Sequence, residues 1–169
     1  MKKSNPRYLQ NKLLLGRCEW CKLPSLGVPA IKAKIDTGAK TSALHAFNLR
    51  PSVSGGIAII NFDIHPLQAN DTTIISCSEP IIDKREIMSS NGHKELRYVI
   101  ASLLTVGDVT WEIELTLSNR DPLRYRLLLG RESLVKKALV DPSIDCNQGK
   151  LGKKNLLSLY SLCGIDNTL

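Results

Sequence analysis

At 169 residues, 43% of them hydrophobic, the chain has the length and composition of one globular domain built on a single core. Its longest apolar runs are a few residues, far short of the roughly 18 needed to span a bilayer. The basic start (Lys2, Lys3, Arg7) leads into Leu13-Leu14-Leu15, too short for an export signal, so a cytoplasmic protein is expected. The 23 Lys and Arg outnumber the 16 Asp and Glu, for a net charge of +7. Such a balance permits acidic partners, but no basic run with interleaved aromatics, helix-turn-helix pattern or zinc-finger spacing supports nucleic acid.

In chain order, residues 1–14 read as a polar N-terminal segment, and Cys18-Glu19-Trp20-Cys21 falls on an expected strand. The cysteines at 18, 21, 77, 146 and 163 form an odd set with no export signal before it, which predicts free thiols. A lone Cys-x-x-Cys is half of a tetrahedral zinc site, and no second pair at comparable spacing completes it. His45, His65 and His93 are widely separated, without a His-Glu-x-x-His helix. No metal and no cofactor are expected.

The alternating stretch Ile31-Lys32-Ala33-Lys34-Ile35 predicts a half-buried strand that delivers the Asp36 carboxylate into a tight turn, Asp36-Thr37-Gly38-Ala39. Gly38 lets backbone approach that carboxylate without a Cβ in the way. A phosphate-binding loop is excluded, since Ala39 and Lys34 stand where that motif needs glycine. Alternation at 60–65 and without a fault at 109–117, with short apolar runs at 72–77, 80–88, 95–104 and 123–129, predicts many short strands. Asn91-Gly92 between two such runs is a strong hairpin signal. Farther on, Leu127-Leu128-Leu129 runs into Gly130-Arg131-Glu132-Ser133-Leu134, with a helix signal at about 131–139, while 153–162 reads as either a short amphipathic helix or a strand added at a dimer edge. The sum is an all-β domain.

The Asp36-Thr37-Gly38-Ala39 loop and the Leu127 to Leu134 segment, in this order, resemble a retropepsin. The longer strings Ile31 to Ala46 and Leu127 to Leu134, followed by Leu139-Val140-Asp141-Pro142, are similar to a bacterial and archaeal retropepsin-like family whose members are labelled ATP-dependent zinc proteases. The resemblance covers residues 15–142, leaving 143–169 as a C-terminal extension. It implies a closed β-barrel of the acid-protease type with one short C-terminal helix, and peptide-bond hydrolysis by an Asp dyad. Because the chain holds one Asp-Thr-Gly, the dyad must form across a homodimer from Asp36 of each subunit, two carboxylates about 3 Å apart sharing one proton.

By the same resemblance, Thr37 and Gly38 hold the dyad, Ala39 and Lys40 contact substrate, and Gly130 and Arg131 support the loop. Ser90, Asn91, Gly92 and His93 form the flap over bound peptide, with a hairpin near 65–72 as competitor. Ala39 lacks the hydroxyl usual in acid-compartment enzymes, which suits work near neutral pH. Lys40 replaces the acidic residue that pairs with the arginine in viral enzymes, so Arg131 must find another partner, Glu132 being one candidate. Lys40 also joins Lys32, Lys34 and His45 in a basic cleft edge. An acidic or glutamate-rich peptide substrate and a functional link to an ATP-grasp ligase follow from the family; zinc and ATP find no motif here. The competing expectation is a non-catalytic retropepsin-like module that binds peptides or a partner protein.

Overall fold

The computed structural model describes residues 6–88, 92–119 and 124–162. Their architecture is mostly β, arranged in a large sheet and two small ones. The first small sheet joins β1 (Tyr8–Leu9), β2 (Lys12–Leu15) and β13 (Ala138–Val140); the second is the meander of β6 (Phe47–Ser54), β7 (Ile57–Ile64) and β8 (Ile75–Pro80). Between β6 and β7 the chain reverses through Gly55 and Gly56, both at positive φ (58° and 80°), the conformation that a two-residue hairpin turn demands.

The large sheet has the order β11-β5-β12-β4-β3-β10-β9, and β10 also pairs with β11, so six of its strands close into a barrel-like ring. They are β3 (Cys18–Leu23), β4 (Val28–Asp36), β5 (Ser42–His45), β10 (Lys94–Val106), β11 (Val109–Ser118) and β12 (Leu127–Gly130), with β9 (Asp83–Met88) outside. Strand alternation explains the closure. In β11, Trp111, Ile113, Leu115 and Leu117 are buried while Glu112 and Glu114 face solvent. The inward side chains meet Ile31 and Ala33 of β4, Leu44 of β5 and Leu127 and Leu129 of β12 in one core.

One register positions everything that follows. β12 runs parallel to β4, with Leu127 opposite Ala33 and Gly130 opposite Asp36, and antiparallel to β5, with Leu127 opposite Leu44. The Gly-Arg segment is therefore wedged between the two arms of the Asp36 loop.

The expected helix at 131–139 shrinks to one turn, α1 (Arg131–Leu134). Val135 leaves helical geometry (ψ 131°), Lys136 takes φ +63°, and the chain becomes β13, laid parallel on β2. Helix α2 (Lys153–Leu162) does form, and its one buried side chain, Tyr160, donates its hydroxyl to the Ala30 carbonyl of β4. The segment between them packs back on β3: Arg17 N–H donates to Ile144 O (2.9 Å) and Cys146 N–H to Cys18 O (3.0 Å). Glu19, fully buried, accepts the backbone N–H groups of Gly16 (2.7 Å), Asn147 (2.9 Å) and Gln148 (3.0 Å). Burial raises its pKa, and these donors oppose the rise.

Candidate active site

Strand β4 ends at Asp36, whose side chain is 27% exposed. The turn that follows closes onto the carboxylate: Oδ1 accepts the N–H groups of Gly38 (3.1 Å) and Ala39 (3.2 Å). A Cβ on Gly38 would sit 3.3 Å from that oxygen, so glycine is what allows the approach. Oδ2 faces Lys34 Nζ at 3.4 Å. Thr37 and Gly38 themselves are exposed at the tip.

The loop is clasped from behind. Arg131 N–H donates to Ala39 O (2.9 Å) and Glu132 N–H to Lys40 O (3.2 Å), while the Arg131 guanidinium reaches the carbonyls of Thr37 (3.3 Å) and Gly38 (3.2 Å). Arg131 thus finds its substitute partner in backbone carbonyls and not in Glu132. Glu132 instead lies 3.7 Å from Lys40, with side chains 52% and 71% exposed; such a surface pair contributes about 0–1 kcal/mol. Beneath, Gly130 N–H donates to Ser42 Oγ (3.0 Å), Ser42 Oγ to Ser133 Oγ (3.1 Å), and Ser133 Oγ to Gly130 O (2.7 Å). Trp111 Nε1–H holds Ser133 O from the far side at 2.9 Å. Ser42, Ser133 and Trp111 were absent from the expected site; their only signal was proximity to the two motifs or an inward position on β11.

Above Asp36 opens a cleft of about 870 Å³. Asp36, Gly38, Ala39 and Lys40 line one side and Glu86, Ile87 and Met88 of β9 the other. The β9–β10 hairpin forms with Lys94 opposite Met88. Of its expected tip, Ser90 and Asn91 lie outside the described residues, and Gly92 and His93 do not line the cleft; the arm preceding them does. The rival segment, 65–72, lies in the β7–β8 connection and contributes no lining residue.

The cleft is basic. Lys34, Lys40, Arg97, Arg124 and Arg126 line it, against the carboxylates Asp36 and Glu86. Arg97 and Arg126, 4% and 7% exposed, are held by Glu95 (2.7 Å) and Asp71 (2.9 Å). Along the chain these arginines look scattered, and the fold gathers them. The parity of β10 carries the clue: Arg97 shares an inward face with Val99 while Leu96 points out, 65% exposed. His45 lines the cleft as expected, but Lys32 does not and sits over the Trp20 ring, 6.0 Å from its centroid.

The thiols of Cys18, Cys21, Cys77 and Cys146 are free, and Cys163 lies outside the described residues. The sole group with metal-ligand spacing among the described residues, Cys18, Asp145 and Cys146, has no member lining the cleft.

A β-rich, barrel-like fold that presents an Asp-Thr-Gly-Ala loop clasped by a Gly-Arg segment is of the retropepsin-like class. The chain belongs to the RimB-like family, described as retropepsin-like aspartic endopeptidase RimB, which matches residues 14–150. Among curated proteins it is similar to the probable alpha-L-glutamate ligases of Shewanella pealeana (48% identical over 152 residues, 90% of this chain and 33% of the relative) and Desulfotalea psychrophila (43% over 150 residues, 89% and 32%). The chain spans about a third of the length of these relatives. Among solved structures, a Legionella pneumophila protein of unknown function is similar, at 28% identity and a TM-score of 0.69, covering 80% of this chain and 98% of that one.

Proposed function

We propose that the protein is an aspartic peptidase that hydrolyses peptide bonds in acidic, glutamate-rich chains, with the dyad formed by Asp36 of two subunits. The observation that carries this reading is the conjunction of a hydrogen-bonded, exposed Asp36 loop with a cleft lined by five cations. In the dimer the two carboxylates share one proton: the ionised one takes a proton from water, which attacks the scissile carbonyl carbon, while the other protonates the carbonyl oxygen. The resulting intermediate collapses with proton transfer to the leaving amine. Thr37 and Gly38 meet the partner loop, Ala39 and Lys40 contact substrate, Gly130 and Arg131 back the loop, and the β9–β10 hairpin covers the peptide through its β9 arm.

The cleft cations suit a run of glutamates, since charge complementarity selects partners and speeds their encounter. The relatives named as probable glutamate ligases carry a stretch similar to this chain within a longer protein. That supports a working partnership with an ATP-grasp ligase, one adding glutamate through peptide bonds and the other removing it. No helix among the described residues is long and apolar enough to cross a membrane.

The test is hydrolysis of a glutamate-rich peptide and of a neutral peptide of equal length, by wild type and Asp36→Asn. The variant is expected to keep its fold and peptide affinity while turnover falls to background. A second reading, a non-catalytic binding module, is favoured by one contact: Lys34 Nζ lies 3.4 Å from Asp36 Oδ2 and gives that carboxylate an ion-pair partner within a single chain. Binding without cleavage by the wild type, unchanged by Asp36→Asn, establishes that reading instead.

A further inference from the structure

Behind the barrel wall, one strand away from β4, three metal-ligating side chains converge from distant parts of the chain. Cys18 Sγ and Cys146 Sγ are 3.6 Å apart, and Asp145 Oδ1 lies 2.5 Å from the first and 3.9 Å from the second. Both thiols are buried, at 1% and 6% exposure, whereas the Asp145 side chain is 40% exposed and opens the group to solvent.

A tetrahedral zinc ion with bonds of about 2.3 Å to sulfur and 2.0 Å to oxygen sets its two sulfurs about 3.8 Å apart and each sulfur about 3.5 Å from the oxygen. The Sγ–Sγ separation already matches. The short Cys18–Asp145 contact is a thiol donating to a carboxylate, and it lengthens toward the ligand spacing once a metal replaces the thiol proton. The surroundings suit the charge: two thiolates and a carboxylate around a dication leave one net negative charge. Arg17 Nε is 3.9 Å from Asp145 and supplies a counter-charge.

We propose that Cys18, Asp145 and Cys146 bind one borderline-soft divalent cation of the zinc class, with water completing a tetrahedron on the solvent side. Two thiol protons leave as it binds. Its role is structural. The ion clasps β3 to the segment after β13, where Cys146 N–H donates to Cys18 O and Arg17 O accepts from Ile35 N–H, the residue before Asp36. The metal stiffens the floor of the Asp36 loop without touching substrate. A disulfide, the other use of two close thiols, gives no part to Asp145.

The reduced protein is titrated anaerobically with cobalt(II) and then zinc(II). The expected result is one cobalt per chain, with a thiolate charge-transfer band and tetrahedral d–d bands. Zinc displaces it, two protons are released per metal, and the melting temperature rises with zinc. Cys18→Ser and Cys146→Ser lose the charge-transfer band, Cys21→Ser, Cys77→Ser and Cys163→Ser keep it, and Asp145→Asn weakens binding by roughly tenfold or more. Asp145→Asn decides the matter even if the buried serine variants misfold, because its side chain is partly exposed. The inference is overturned by failure to bind stoichiometrically, by affinity unchanged in Asp145→Asn, by a charge-transfer band that survives both serine variants, or by a Cys18–Cys146 disulfide that forms in the presence of equimolar zinc. All readouts stand apart from hydrolysis, so they hold whichever way the peptidase assay falls.

Discussion

Gly130 is the residue on which the Asp36 loop rests. A Cβ there would lie 2.5 Å from both the carbonyl carbon and the oxygen of Thr41, and backbone cannot swing aside as a side chain can. Gly130→Ala is expected to lower stability by about 1–3 kcal/mol, the usual cost of overpacking, and to depress kcat, read by urea unfolding and peptide turnover together. Lys40→Glu should act on choice alone. Its partner Glu132 is exposed, so stability holds, while the ratio of kcat/KM for glutamate-rich over neutral peptide drops at low ionic strength and recovers toward equality of variant and wild type at high salt. A ratio that does not move on substitution counts against the acidic-substrate proposal. Asp63 sets an acid limit. Hydrogen bonds from Asn48 (2.8 Å) and Ser76 (2.7 Å) hold its carboxyl below the usual range. A depressed carboxylate contributes stability above its unfolded pKa of about 3.9 and loses it as pH falls through the lower folded value. Unfolding midpoints measured from about pH 6 down to pH 2.5 should therefore fall less steeply in Asp63→Asn than in wild type. At this scale the Asp36-Thr37-Gly38-Ala39 turn was legible because its chemistry is local to a few residues. The partners of Cys18 were not, since Cys146 stands 128 positions away.

Among elements, the β9–β10 hairpin bears most directly on the proposed catalysis. Ile87 and Met88 face the cleft, and Met88 is 64% exposed. If this arm covers substrate, Ile87→Ser should reduce kcat/KM with little change in melting temperature, because Ile87 is only half-buried; an unaltered kcat/KM would assign the hairpin to another role. The Asn-Gly turn and the alternation around it made the hairpin readable in advance. Strand β13 shows the opposite case. Residues 131–139 carry a helix-like pattern, but only Arg131–Leu134 stay helical, and the tertiary docking of 138–140 on β2 makes those last residues a strand. The cleft arginines were hidden for a related reason, as they come from β10 and from the approach to β12, and only the closure of the ring through β10 and β11 brings those together.

For the whole molecule, one Asp36 loop per chain means that the proposed chemistry needs two chains. Sedimentation at micromolar concentration is expected to show a dimer, and specific activity to fall on dilution through its dissociation range; a strict monomer with full activity would refute the shared dyad. Hydrolysis well below the melting temperature should survive chelators and nucleotide depletion, because no member of the Cys18 cluster lines the cleft. The placing of Gly130 carries one more consequence, for biosynthesis. Its amide completes the Ser42 contact across 88 residues of sequence, and Arg131 reaches Thr37 across 94. Contacts of such span form late in folding, and a nascent chain that has emerged only as far as β11 lacks the clasp altogether. On the proposed mechanism, a ribosome-bound intermediate of this kind is expected to be inactive, because its Asp36 loop still lacks the Gly130–Arg131 backing.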